Sequence, residues 1–476
     1  MKKDCSGYED LHALRFFDQT ETVATKARAR AAAAKRLETT QAAGQTISPL
    51  LTSPPTSIHE QAMSHALKCY VGNGENSGIV SYLRGLLSTD PSDALQTTLG
   101  AIGLASLASI HDLLKLKRSA SEEYSLALRA TNRDLQDPVS ATSDSTLATV
   151  LLLGLYEQIL ACHESDMVHG WSNHVQGAVR LIELRGEEQL KSVIEMELFT
   201  VVRLQLAMSN LFFRAKYHTS PGIASLSQRA MLLHSDRSQA VEAFYAILIP
   251  FNDLSIAIKA AHRRDSFHGD TTAALVAEAL RLDADLASWA DSLEPHWQYT
   301  IAQAHSPSTH SKDIPFPYHN TLYHIYLFLA AATLWNHYRQ ARITLHEMLR
   351  PMLSSMSTLP LSGVFDAEQT LSQSRIITTN LIHEICASVP FFFASDEARF
   401  VAVARLPWPL FVAAGCVESS PYTKGWIVRV LEVLAKSTGV RQAGIMTGLI
   451  RSGGHGMRLI PGKMVENGCV DRWADI

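Results

Sequence analysis

The segment Ser143–Cys162 (SDSTLATVLLLGLYEQILAC) limits the fold more than any other part of this chain. Wound as a helix, it places Leu147, Val150, Leu151, Leu152, Leu153, Leu155 and Ile159 on nearly every side. Such a helix has no face to give to water, so it belongs in the middle of a bundle, with other helices around it. Ser143–Thr146 supply the residues that cap its start. The text that follows supplies the neighbours. A helix over Trp171–Arg185 stops at Gly186, with Arg185 complementing the dipole of the last turn. Ser192–Tyr217, Gln239–His262 and Thr272–Leu293 are further long apolar segments, and residues 305–318 form a Pro/Ser/His break. Helices are then predicted over His319–Leu349, Asp366–Ala387 and Tyr422–Ser437. The last carries Ile427, Val430, Leu431 and Leu434 on one face and is closed by Gly439. No alternating run suited to a half-buried strand and no fixed repeat length stands out. The predicted fold class is all-α: a large multi-helix bundle or array, preceded by a short basic N-terminal helix and a flexible linker.

The N-terminal text differs from the rest. Residues 1–37 form a leader in which Val23–Leu37 (VATKARARAAAAKRL) is made of strong helix formers. Lys26, Arg28, Arg30, Lys35 and Arg36 lie there with no acid between them. Ala24, Ala27, Ala31 and Ala34 form its apolar seam, too small for a strong coiled coil. Residues 38–60 are Thr/Ser/Pro-rich without a period, as in a flexible linker. The helical domain is expected over residues 61–476. Net charge is −4, so no global positive field draws the chain to nucleic acid or to an anionic membrane. The N-terminus lacks the apolar core of a secretory signal, and apolar stretches fall short of the ~18 residues that span a bilayer. A soluble, interior protein is expected.

Motifs for catalysis and metal binding fail on spacing. The six cysteines (Cys5, Cys69, Cys162, Cys386, Cys416 and Cys469) include no close pair. No two of the twenty histidines sit three or four apart, the spacing that puts two imidazoles side by side on one helical face. His163-Glu164, His346-Glu347 and His383-Glu384 each open a zincin-like string whose second histidine is missing. Gly456–Lys463 (GMRLIPGK) has the wrong spacing for a phosphate loop, and Met464 stands where the magnesium-binding hydroxyl is needed. Gly-rich Ser452–Met457 reads as a turn or tail. Cys386 and Cys416 lie in apolar sequence and read as small core residues. The chain is therefore not expected to be an enzyme.

Three stretches resemble one family. They are Cys5–Lys26 (C-S-G-Y-E-D-L, then F-D-Q-T-E-T-V), Leu151–Gly186 (L-L-L-G-L-Y-E, then W-x-x-H-x-x-G-A-x-x-L-I-x-L-R-G) and Ala404–Gly415 (ARLPWPLFVAAG). The family is that of the fungal transcription regulators that join an N-terminal binuclear zinc cluster to a large helical regulatory domain. The resemblance covers nearly the whole chain, and its second stretch is the most specific. Trp171, His174, Ala178 and Leu181 share one helical face there, and Gly177-Ala178 keeps that face shallow. The set Trp171, His174, Gly177, Ala178, Arg185 and Gly186 has two readings. One is a packing signature. The other lets Trp171, His174 and Arg185 border an effector pocket.

The resemblance implies a nuclear regulator of a metabolic or secondary-metabolite gene set. Other transcription regulators are the implied partners, with room for a small-molecule effector and for a homodimer, and without a membrane. It also makes Cys5 the sixth ligand of a cluster whose other five cysteines are missing here. No cofactor is thus expected in this chain; zinc would enter only with an upstream cluster, and DNA reading by residues 1–476 alone is not expected. The basic helix reads as a solvated face, a nuclear-import signal or a phosphate-touching element. The rival is a helical ligand-binding protein, scaffold or enzyme unrelated to transcription.

Overall fold

The computed structural model describes residues 57–71, 82–160, 164–212, 221–233, 236–263, 269–304, 319, 321–357, 366–394 and 402–452. The chain divides into two compact units, Met1–Thr56 and Ser57–Ile476. The first, with the expected basic helix and most of the linker, lies outside the described residues. Among its described residues the second is all-α apart from one short ribbon.

Helix α1 (Ile58–Ala66) opens on a capping box: Ser57 Oγ accepts from Glu60 N–H at 3.1 Å, and Glu60 Oε2 accepts from Ser57 N–H at 2.8 Å. The helical unit therefore begins inside the stretch predicted as linker. A π-helical turn (Leu67–Val71) extends α1. Then come α2 (Leu83–Thr89), α3 (Asp93–His111), α4 (Leu114–Gln136), α5 (Pro138–Ala141) and α6 (Asp144–Leu160). Helix α6 is the all-round apolar helix of the sequence, and every residue from Ser145 to Gly154 is buried. It packs against α3, α4 and the two helices that follow, α7 (Glu164–Arg185) and α8 (Val193–Phe212). Where α1 crosses α3 the backbones nearly touch. A Cβ on Gly103 would stand 1.9 Å from the Ala62 carbonyl oxygen, so only glycine fits.

The chain continues through α9 (Pro221–Leu233), α10 (Asp236–Arg263) and α11 (Gly269–Ser292). Strands β1 (Tyr299–Gln303) and β2 (Leu322–Tyr326) pair antiparallel, Tyr299 opposite Tyr326 and Gln303 opposite Leu322. Then follow α12 (Leu329–Ser357), α13 (Ala367–Ala394), α14 (Pro407–Gly415), α15 (Pro421–Thr438) and α16 (Arg441–Arg451). The C-terminal helices return to the start of the unit, α16 packing on α6 and α15 on α3.

Three boundaries differ from expectation. Residues 322–326 are strand, where a helix was predicted from His319. Tyr299, His324 and Tyr326 pack there around Arg339 and Trp335, and tertiary contact overrides helical propensity. Helix α12 runs past Leu349 through Pro351 to Ser357, and α13 past Ala387 through Pro390 to Ala394. An interior proline costs ~3 kcal/mol. Buried Met352 and Leu353 beyond the first, and Phe392 and Phe393 beyond the second, supply apolar burial of that order or more. Gly186 (φ 57°) and Gly439 (φ 69°) do adopt the left-handed conformation that ends α7 and α15.

Candidate functional site

The sequence signature lies on α7, on the side facing α6. Trp171, Ala178 and Leu181 are buried, while His174 is only partly covered. Trp171 Nε1–H donates to Gln205 Oε1 of α8 at 3.3 Å. Tyr124 of α4, stacked on Tyr156 with centroids 4.1 Å apart, donates its hydroxyl proton to Glu157 Oε1 at 2.5 Å. Its oxygen is thereby left to accept from His174 Nε2, 3.3 Å away, which fixes a neutral Nε2–H imidazole. Burial lowers the His174 pKa from 6.5 to about 4. The close approach of the two helices depends on Gly154 of α6. A Cβ there would lie 3.3 Å from both His174 Cβ and Trp171 Cδ1, whereas one on Gly177 would meet only Val150 at 3.6 Å.

Arg185 ends the signature and ties three helix ends together. Its buried guanidinium donates to Asp144 in the first turn of α6 and lies 3.9 Å from Glu195 in the first turn of α8. Each charge sits at the helix end whose dipole favours it. Glu195 also closes a capping box with Ser192. Gln189, in the 3₁₀ turn Gly186–Leu190, donates to the Ile182 and Gly186 carbonyls and so caps the end of α7.

A second polar centre lies between α8, α9 and α10. Arg203 of α8 and Glu242 of α10 form a bidentate ion pair at 2.8 and 2.5 Å, their side chains 4% and 2% exposed. The guanidinium also lies over the rings of Phe199 (4.3 Å) and Tyr245 (5.3 Å). Beside the pair is a narrow, half-open cleft walled by Leu206, Ile223 and Leu248 with Arg203, Asn210, Ser227, Tyr245 and Asn252. Arg203 Nε and the Tyr245 hydroxyl are both buried without a hydrogen-bond partner. Burial holds the Tyr245 hydroxyl protonated well above its ordinary pKa.

A third cluster has the residue types of a hydrolase. Ser374 Oγ lies 3.0 Å from His346 Nδ1, whose Nε2 lies 3.2 Å from Asp283 Oδ1. Burial would raise the Asp283 carboxyl, but His346 and Arg342 hold it well below the usual carboxylate range. Ser374 is 2% exposed, inside α13, so no substrate reaches it in this arrangement. Arg339 on α12 is wholly buried and fully engaged by Glu384, Tyr326 and Asn336. Cys69, Cys386 and Cys416 are buried, and burial raises their thiols, to about 11 for Cys69. Among the described residues no group of three or more His, Cys, Asp and Glu is placed to hold a metal ion.

Of the residues singled out in the sequence, the structure brings Trp171, His174, Gly177, Ala178, Arg185 and Gly186 together on α7 and its cap. Cys5, Lys26, Arg28, Arg30, Lys35 and Arg36 lie outside the described residues. The Arg203–Glu242 pair was not foreseen. Its signal was a single cation in the apolar run Leu198–Phe212 and a single acid in Ala240–Phe251, each of which needs a buried partner.

Residues 52–214 match the family described as fungal specific transcription factor domain. The match takes in α1 through α8, with the signature and Arg203, and stops before α9. Transcription factor dbaG of Emericella nidulans is 21% identical over 373 residues, covering 74% of this chain and 79% of that protein. No solved structure matches. The all-α architecture of the described residues and the Trp171–Gly186 signature thus lie with a stretch, residues 52–214, that is similar to the fungal specific transcription factor domain.

Proposed function

We propose that this chain is a nuclear transcription regulator, without enzymatic activity, controlling a metabolic or secondary-metabolite gene set. The observation that carries the proposal is the family match over residues 52–214, which coincides with the helical core around α6. In this reading Trp171, His174, Gly177, Ala178, Arg185 and Gly186 hold α6, α7 and α8 as one body. Trp171, His174 and Arg185 each make a polar bond to a neighbouring helix, which favours packing over a pocket border. The helical body recruits other regulators, and Lys26, Arg28, Arg30, Lys35 and Arg36 act in nuclear import. DNA reading comes from a partner or from a zinc cluster to which Cys5 would belong.

The test tethers the full chain to a heterologous DNA-binding module upstream of a reporter, and images a fluorescent fusion of the untethered chain. Reporter output changes in either direction, and the fusion accumulates in nuclei. Replacing the five basic residues by Ala disperses it. An unchanged reporter together with cytosolic fluorescence would sink the proposal in favour of a scaffold unrelated to transcription.

A further inference from the structure

The stretch Ala404–Gly415, which leads into α14, carries a cation that the described residues leave without a counter-ion. Five enclosed guanidiniums elsewhere each meet a carboxylate: Arg185 with Asp144, Arg203 with Glu242, Arg339 with Glu384, Arg342 with Asp283 and Arg350 with Glu418. Arg405 meets none among the described residues. It stands in a turn closed by bonds from Arg405 N–H to the Ala402 carbonyl (3.2 Å) and from Leu406 N–H to that of Val403 (3.1 Å). Buried Ala402, Val403 and Leu406 anchor that turn. Arg405 Nη1 donates to Thr333 Oγ1 of α12 at 2.8 Å, and the Thr333 hydroxyl proton goes in turn to the Leu329 carbonyl. That leaves the edge formed by Nε–H and Nη2–H, two parallel donors with the spacing of a carboxylate. The residue is partly exposed, and these two nitrogens are not closed off from solvent. The protein around them nonetheless replaces enough hydration to pull the guanidinium from 12.5 to about 10.

His337, one turn beyond Thr333 on α12, is also partly exposed. Burial, then the Arg405 charge, lowers its pKa to about 3, so the imidazole is neutral and can add an N–H donor beside the guanidinium. From this arrangement we propose that Arg405, Thr333 and His337 form a binding site for a monocarboxylate, its two oxygens along the Nε–Nη2 edge of Arg405. Among the described residues no second cation acts on either Arg405 or His337. A phosphate dianion would therefore bring a charge that nothing meets, and a neutral amide offers one acceptor and no charge. The site lies outside residues 52–214, where it joins α12 to the turn before α14. Binding there is read on the isolated protein and stands or falls apart from any role in transcription.

The experiment follows the melting temperature of the full chain at neutral pH while acetate, acetamide or phosphate replaces chloride at constant ionic strength. Acetate should raise it saturably, with a roughly millimolar midpoint for so small a ligand, because it binds only the folded form. Acetamide and phosphate should act about tenfold more weakly or not at all. In arginine-labelled chain the Arg405 Nε–H resonance, assigned by its loss in Arg405→Lys, should shift with the same midpoint. Arg405→Met should abolish the acetate response. Arg405→Lys keeps the charge without the paired donors, so it should weaken acetate about tenfold and serves where Arg405→Met does not fold. No saturable rise, acetamide or phosphate matching acetate, an Arg405 resonance that stays still, or a response kept in these variants overturns the proposal.

Discussion

Neutralising one member of the Arg203–Glu242 pair is the sharpest stability test of this fold. Both side chains are almost wholly enclosed, and each guanidinium Nη meets one carboxylate oxygen. In Glu242→Gln the guanidinium keeps its charge but loses its counter-ion, deep among Phe199, Tyr245 and the apolar faces of α8 and α10. Arg203→Met strands the carboxylate in the same way. Breaking such a pair costs about 3–5 kcal/mol, because the abandoned charge keeps its desolvation penalty. For a unit of several hundred residues that is roughly 3–5 °C of melting temperature. The double variant Arg203→Met/Glu242→Leu strands nothing and replaces the pair with apolar volume. It should return to within about 1 kcal/mol of the parent. The coupling between the two sites is then at least about 5 kcal/mol. Denaturant and thermal melts of the four proteins give the cycle. If each single variant lost less than about 1 kcal/mol, the pair would be solvated. If the double variant lost the sum of the two, the argument from an orphaned charge would be wrong.

Three further outcomes follow from geometry. Gly103→Ala should destabilise by at least about 2 kcal/mol, since its Cβ would overlap the Ala62 carbonyl, whereas Gly448→Ala, with open space around it, should gain about 0.5–1 kcal/mol; paired denaturant melts would show the opposite signs. Arg185→Ala should cost about 2 kcal/mol by removing the charged bond between α6 and α7, and hydrogen exchange should speed first at the α7 end and the Gly186–Leu190 turn. His174 binds its proton near 6.5 when unfolded but near 4 when folded, so its stability is intact above 6.5 and is lost as pH falls from 6.5 towards 4. His174→Gln should flatten the acid limb of the stability–pH curve by up to about 1.4 kcal/mol per pH unit, and an unchanged slope would place the titration elsewhere.

How much of this was legible in the sequence varied with how local the cause was. Helix α6 was readable because its apolar residues leave no side for water, and the structure buries it accordingly. The ends of α7 and α15 were readable because Gly186 and Gly439 report a backbone conformation directly. The ends of α12 and α13 were not. Pro351 and Pro390 are local stop signals, overruled by side chains beyond them that meet the core. Strand β1 offered no alternation to read: Thr300 and Ile301 are both exposed, and the ribbon is held by Tyr299 and its partners on β2. The signature residues could be named in advance, but not the glycine that brings their helix close. Gly177 looked like the contact point, yet Gly154 on the facing helix makes the tighter approach. One helix's sequence shows which face is shallow; it does not show where the other helix crosses.

Helix α8 explains why the two polar centres belong to one body. Its first turn receives Arg185 through Glu195, and its middle receives Trp171 through Gln205. Two residues from Gln205, Arg203 points the other way, into the pair with Glu242. Residues two apart on a helix lie on roughly opposite sides, so α8 is gripped by the signature on one flank and lines the cleft with the other. A shift of α8 that improved one set of contacts would strain the other, because Arg185, Trp171 and Arg203 all demand defined geometry from it. The material for coupling is therefore a single rigid element with polar anchors on both sides, rather than a chain of side chains between distant sites. Any change in the Arg203–Glu242 pair therefore acts on the helix that Trp171 and Arg185 hold from the other side.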